Sequence, residues 1–131
     1  MSTSASTLVP IQLSMFLEEY KQFLVTVTIS GSPTSLSGCV LVWTLKTISG
    51  VTVQGPGLIQ KRSDDGGITI TDVANGLATI TILPADTTSL SANPYYLWDL
   101  RLINESVSPP QPFTIATGRM QLLQNVTDAV T

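Results

Sequence analysis

The stretch Thr79–Ile103, T-I-T-I-L-P-A-D-T-T-S-L-S-A-N-P-Y-Y-L-W-D-L-R-L-I, decides the fold. It opens with a strand-like run ending at Leu83 and closes with the longest aromatic-bearing alternation in the chain, Tyr95–Ile103. Both runs repeat with a period of two, the pattern of half-buried strands. The loop between them is too long for a tight hairpin and is rich in Pro, Asp, Ser and Asn, as a surface crossing is. Tyr95–Ile103 is therefore expected to be the central strand of a sheet. Tyr96, Trp98, Leu100 and Leu102 fall on its core face, and Asp99 and Arg101 share the opposite one.

Outward from this stretch the chain reads as further strands. Tyr20–Ser30 is β-branched, with Phe23, Val25, Val27 and Ile29 on one face. Gly31–Ser35 is a turn, and Cys39–Lys46 is a strand that turns Leu41, Trp43 and Leu45 to the core. Val51 and Val53 are candidates for a brief pairing within the Thr47–Gly57 connection. Leu58–Arg62 and Ile68–Thr71 flank Ser63–Gly67 and read as a hairpin. Asn75-Gly76 supplies the turn before Leu77–Leu83. Pro109, Pro110 and Pro112 bar Asn104–Pro112 from helix or central strand. Phe113–Ala116 and Arg119–Gln124 form a strand pair, or one strand bent at Thr117-Gly118. At the start, Leu8–Leu13 is a short strand that Pro10 confines to an edge or a sheet switch. Ser14–Glu19 is either one helical turn or a loop. About seven to nine short strands spaced roughly 8–14 residues apart predict an all-β sandwich or barrel.

The 131 residues suit one domain, residues 8–124, between a polar arm (1–7) and a polar tail (125–131). The chain is 43% hydrophobic yet only 11% charged, against roughly 25% charged in ordinary soluble domains. Ser and Thr supply the polarity instead. The apolar surplus points to subunit contacts, since obligate interfaces resemble a core cut in half. No run approaches the roughly 18 apolar residues that cross a bilayer. With a net charge of −3 and scattered cations, a nucleic-acid surface is not expected. The start, M-S-T-S-A-S-T, has no signal-peptide pattern, so cytoplasmic synthesis is expected and the sequons at Asn104 and Asn125 carry no meaning.

The chain has no histidine and one cysteine, Cys39, read as a small buried hydrophobe. Triad catalysis and histidine or cysteine metal sites are thereby excluded. The carboxylates open to acid–base work are Asp64, Asp65, Asp72, Asp86 and Asp99. Asp64 and Asp65 precede Gly66-Gly67, as in turns, and Glu18-Glu19 reads as a solvated pair. Asp64, Asp65, Asp72 and Asn75 lack the spacing of a calcium-wrapping loop. No cofactor and no metal are expected.

Three segments taken together resemble a known family. They are V-T-I-S-G-S-P-T-S-L-S-G-C-V-L-V-W-T-L-K (27–46), I-T-I-T-D-V-A-N-G-L-A-T-I-T-I-L-P-A-D-T-T-S-L (68–90), and Y-Y-L-W-D-L-R-L (95–102) with A-T-G-R-M-Q-L-L (116–123). Their order is similar to the β-sandwich of tailed-phage virion proteins, namely the N-terminal domain of phage baseplate upper proteins, over about residues 20–127. Two departures stand out: Ala92-Asn93-Pro94 precedes Tyr95 where the family usually has Gly, and Asn104–Pro112 is richer in proline. The resemblance implies an immunoglobulin-like antiparallel β-sandwich serving as a non-enzymatic structural protein of the virion. It implies a tail, neck or baseplate component, while the small single domain and polar tails favour a capsid decoration or cement protein, in either case with other virion proteins and further copies as partners. Asp99 and Arg101, charged neighbours on a nearly uncharged protein, are the candidate interface residues. The alternative is a glycan-binding module or adhesin tip using Tyr95, Tyr96 and Trp98 as a stacking platform.

Overall fold

A computed structural model describes residues 11–29, 31–47 and 57–124. Leu8–Pro10, Val51, Val53 and the tail from Asn125 lie outside the described residues. The elements in chain order are β1 (Ile11–Phe16), β2 (Lys21–Thr26), β3 (Thr28–Ile29), β4 (Ser32–Pro33), β5 (Cys39–Thr47) and β6 (Ile59–Arg62). They continue with β7 (Ile68–Asp72), β8 (Leu77–Ile82), the single turn α1 (Pro84–Thr87), β9 (Asn93–Asn104) and β10 (Gln111–Leu123).

Two sheets pack face to face. One has the order β1-β10-β9-β5-β6 and the other β2-β8-β7, with β3-β4 a small ribbon. The immunoglobulin sandwich places strands G, F and C on one sheet and B, E and D on the other. Here β10, β9 and β5 stand as G, F and C, with β6 beside C, and β2, β8 and β7 stand as B, E and D. Among the described residues the strand pairs are antiparallel except that β1 runs parallel to β10, Ile11 opposite Gly118 and Phe16 opposite Leu123, because the chain joins β1 to β2 across the sandwich, not to its own sheet neighbour.

The central strand is β9, flanked by β10 and β5. Its even-numbered residues Tyr96, Trp98, Leu100 and Leu102 are buried, facing Leu41, Trp43 and Leu45 of β5, each 0% exposed. The indoles of Trp43 and Trp98 lie 6.4 Å apart between centroids, tilted by 33°. Burying such side chains stabilises the fold by about 1.5–3 kcal/mol each. The Tyr96 hydroxyl donates to the Ser91 carbonyl at 2.7 Å, the arrangement that marks the start of strand F in immunoglobulin domains. Two residues on, where antibody domains carry a cysteine of the inter-sheet disulfide, stands Trp98, whose indole N–H donates to the Arg119 carbonyl at 3.1 Å.

Several local readings are corrected. Leu58–Arg62 and Ile68–Thr71 do not form a hairpin. β6 pairs with β5 and β7 with β8, and Ser63–Gly67 carries the chain from one sheet to the other. Tyr20–Ser30 is interrupted at Val27, which is fully buried and donates its N–H to the Gly76 carbonyl at 2.8 Å. Gly76 has φ +71°, and a Cβ there would lie 2.6 Å from the Val27 carbonyl oxygen, so only glycine fits this turn. Ser14–Glu19 holds no helical turn: the strand runs to Phe16, and the following turn places Glu18 at φ 58°. The last strand is continuous, with irregular register between Thr114 and Ala116 and between Met120 and Leu122, not at Thr117-Gly118. Pro112 stands at the second position of this strand, where a missing N–H costs the ladder least, and opposes Ile103 of β9. Cys39 is half-buried rather than enclosed.

Replacing Tyr96→Phe removes one part-buried hydrogen bond while keeping the ring. Urea titration should show a loss of about 1 kcal/mol with an unchanged far-ultraviolet spectrum; an unaltered midpoint would show that the corner contributes nothing.

Candidate functional site

The odd-numbered residues of β9 point away from the core and, with their neighbours, form the outer face of the five-stranded sheet. The register assembles this face in rows. Asp99 lies between Thr117 of β10 and Thr44 of β5, and Thr44 opposes Gln60 of β6. On one side is the row Arg119, Leu97, Lys46; on the other, Thr114, Arg101, Val42, Arg62. Strand twist makes the centre concave, a groove of about 360 Å³ over Asp99.

Lys46, Arg62, Arg101 and Arg119 are four of the six cations of the chain, gathered around one central carboxylate. Arg62 is held by Asp64 through two hydrogen bonds of 2.8 and 3.0 Å. The Arg119 guanidinium lies 5.5 Å from the centre of the Tyr95 ring, a cation–π arrangement at the rim. Gln60 donates to the Thr44 hydroxyl at 3.3 Å, and Thr117 donates to the Trp98 carbonyl at 3.1 Å. Arg101 is exposed, whereas Asp99 is half-buried.

Asp99 and Arg101 share a face, but they make no salt bridge; the described ion pairs are Lys61–Asp86 and Arg62–Asp64. Their coupling is through space. Burial pushes the Asp99 carboxyl above its ordinary range, and the fields of Arg101 and Lys46 offset part of that rise. The site is thus a partly desolvated carboxylate inside a cationic rim.

The other acidic candidates are spread among turns and caps. Asp65 accepts the N–H groups of Arg62 and Gly67, Asp72 accepts from Asn75, and Asp86 accepts the Leu83 N–H at 2.7 Å. Hydrogen bonding to Arg62 and to Asn75 holds Asp64 and Asp72, respectively, below the usual carboxylate range. Among the described residues no group of three His, Cys, Asp or Glu converges as metal ligands. The aromatic platform does not form: Tyr96, Trp98 and Trp43 are all buried, and Tyr95 alone of that set is exposed. Among the described residues no helix is long and apolar enough to cross a membrane.

Sequence reasoning placed Asp99 and Arg101 on one face and missed Lys46, Arg62, Gln60, Thr44, Thr117 and Arg119 as their neighbours. The period-two pattern of each strand carried the outward direction of Lys46 and Thr44, but only the register of four strands sets them beside Asp99. No protein-family model matches the chain, and no curated protein is significantly similar to it. The fold and this face therefore define the molecule as an immunoglobulin-like sandwich with one polar, cation-rimmed sheet surface.

The folded-state pKa of Asp99 is raised, so the folded chain holds this proton more tightly than the unfolded one. Its contribution to stability is present at low pH and is lost as pH rises from the ordinary aspartate value of 3.8 through the folded value. Asp99→Asn should remove that decline. Its denaturation midpoint at pH 7 should equal or exceed that of the parent, and the two pH–stability curves should converge at low pH. A variant that is less stable at pH 7 would show the carboxylate to be a net stabiliser.

Proposed function

We propose that the chain is a non-enzymatic structural subunit of a tailed-phage particle, joining its neighbours through the outer face of the five-stranded sheet. The observation that carries the docking surface is that three of the six cations, Lys46, Arg62 and Arg101, line the groove over Asp99, with Arg119 further along the same face, in a chain whose net charge is −3. Lys46 and Arg101, whose fields reach Asp99, let this face complement an acidic surface on a partner subunit, which sets register and association rate. The phage setting rests on the resemblance of residues 20–127 to the baseplate upper-protein domain. Within that setting the partners are other virion proteins and further copies, in the tail, neck or baseplate or as a decoration on the head.

The mechanism is docking without chemistry. Arg101 and Arg119 are exposed and steer encounter. Asp99, partly desolvated, rewards a partner that brings a hydrogen-bond donor to the centre and penalises one that does not. Thr44, Thr117 and Gln60 add short neutral hydrogen-bonding groups that need little ordering. The glycan reading finds no stacking platform in the buried tryptophans.

The experiment is gold labelling of an epitope-tagged chain in particles purified from cells carrying the gene. Label at one fixed position on head or tail is expected, and its location chooses between the two placements. Lys46→Glu with Arg101→Glu should leave the chain folded and cut incorporation at least tenfold. Particles free of the chain would overturn the structural role, and undiminished incorporation of the variant would overturn the face as its docking surface.

A further inference from the structure

The turn that joins β7 to β8 combines a chemically labile dipeptide with a latch. Asn75 precedes Gly76, whereas Asn93 precedes Pro94, Asn104 precedes Glu105 and Asn125 precedes Val126. The fold requires this glycine. Gly76 has φ +71°, and a Cβ there would lie 2.6 Å from the Val27 carbonyl oxygen and 2.7 Å from that of Thr34. The missing Cβ that fits the corner also leaves the Gly76 nitrogen unhindered beside the side-chain amide of Asn75. Asn75 is exposed, so water reaches it. Against this lability stands Asp72, whose carboxylate takes both donors of Asn75. The Asn75 N–H donates to Oδ1 at 3.2 Å, and Nδ2 donates to Oδ2 at 2.9 Å. Hydrogen bonding from the Asn75 side chain holds the Asp72 carboxyl below its ordinary range, so the acceptor is ionised at neutral pH.

We propose that Asn75 is a site of spontaneous deamidation and that Asp72 is the latch that sets its rate. The Gly76 nitrogen gives up its proton and bonds to the side-chain carbonyl carbon of Asn75. The bond from that carbon to Nδ2 breaks, and the nitrogen leaves as ammonia, carrying a proton. Water then opens the cyclic imide at either carbonyl and leaves aspartate or isoaspartate. Water is the only co-reactant. Ring closure requires Asn75 to rotate about its side-chain and backbone bonds, and the two hydrogen bonds to Asp72 resist both rotations. Pro94 has no N–H to react, and the side chains of Glu105 and Val126 crowd the approach, so the reaction selects Asn75.

Both products weaken the corner. Isoaspartate routes the backbone through the side-chain carbon and lengthens it by one methylene. It does so where the Gly76 carbonyl accepts the N–H of fully buried Val27 at 2.8 Å and the Val73 carbonyl accepts that of Leu36 at 2.8 Å. Aspartate keeps the backbone but sets a second carboxylate beside Asp72 and removes the Nδ2 donor. Either change loosens the turn from the break between β2 and β3 on which it is seated.

The turn belongs to the sheet opposite the cation-rimmed face and is tested apart from docking. The folded full chain is held at mildly alkaline pH, well below its unfolding temperature, and mapped by peptide mass spectrometry. Conversion should appear at Asn75 and not at Asn93 or Asn104, at least tenfold slower than in the free synthetic peptide Thr71–Leu77. Asp72→Ser, which leaves one acceptor oxygen for two donors, should speed conversion at least threefold. If that variant does not fold, Asp72→Glu, which keeps the charge but displaces the oxygens, serves instead with the same acceleration expected. The converted chain, separated by its added negative charge, should unfold at a lower urea concentration than the unconverted one. Absence of conversion at Asn75 in parent and variant alike would overturn the site. A folded variant that converts no faster than the parent would overturn the latch, and a converted chain of undiminished stability would overturn the effect on the corner.

Discussion

The structure depends on the double constraint carried by β9. This strand is hydrogen-bonded along both edges, to β5 and β10, and is buried on one face only. A strand so placed must alternate, because a shift of one residue against either neighbour would move Tyr96, Trp98, Leu100 and Leu102 to solvent and Asp99 and Arg101 into the core. Burying an unpaired aspartate and arginine is costly enough that no competing register survives. The Tyr96–Ser91 hydrogen bond fixes the point at which the alternation begins.

The same strand explains how the sandwich dispenses with a disulfide. Trp98 occupies the position two residues after the corner tyrosine, and Trp43 stands on the neighbouring strand as the buried tryptophan of strand C does in antibody domains. Their contact at 6.4 Å, together with Phe23 and Val25 on β2, fills the space between the sheets with apolar volume. A cross-link limits the entropy of the unfolded chain; here the holding energy comes from burial alone.

The two surfaces that follow use different physics. The outer face of the five-stranded sheet is polar and charge-patterned, suited to selecting a partner by complementarity. The other sheet presents Phe23 and Val25 of β2 to the apolar space around Trp43 and Trp98.

The all-β class, the core faces of β5 and β9, and the outward face shared by Asp99 and Arg101 were legible in the sequence. Each follows from period-two alternation, a property of a single strand. The Asn75-Gly76 turn was legible for the same local reason. The strand partners were not: Leu58–Arg62 and Ile68–Thr71 read as a hairpin because Gly66-Gly67 makes a good turn, and nothing local reveals that the turn changes sheets. The parallel pairing of β1 and the cation rim escaped likewise. Lys46, Arg62, Arg101 and Arg119 come from four strands, and only hydrogen-bond register sets them around Asp99. The sequence by itself determined which side chains of each strand face the core, because burial acts on every residue separately. Only the tertiary structure decided which strands are neighbours, and hence where the charges gather, because those choices belong to the whole sheet.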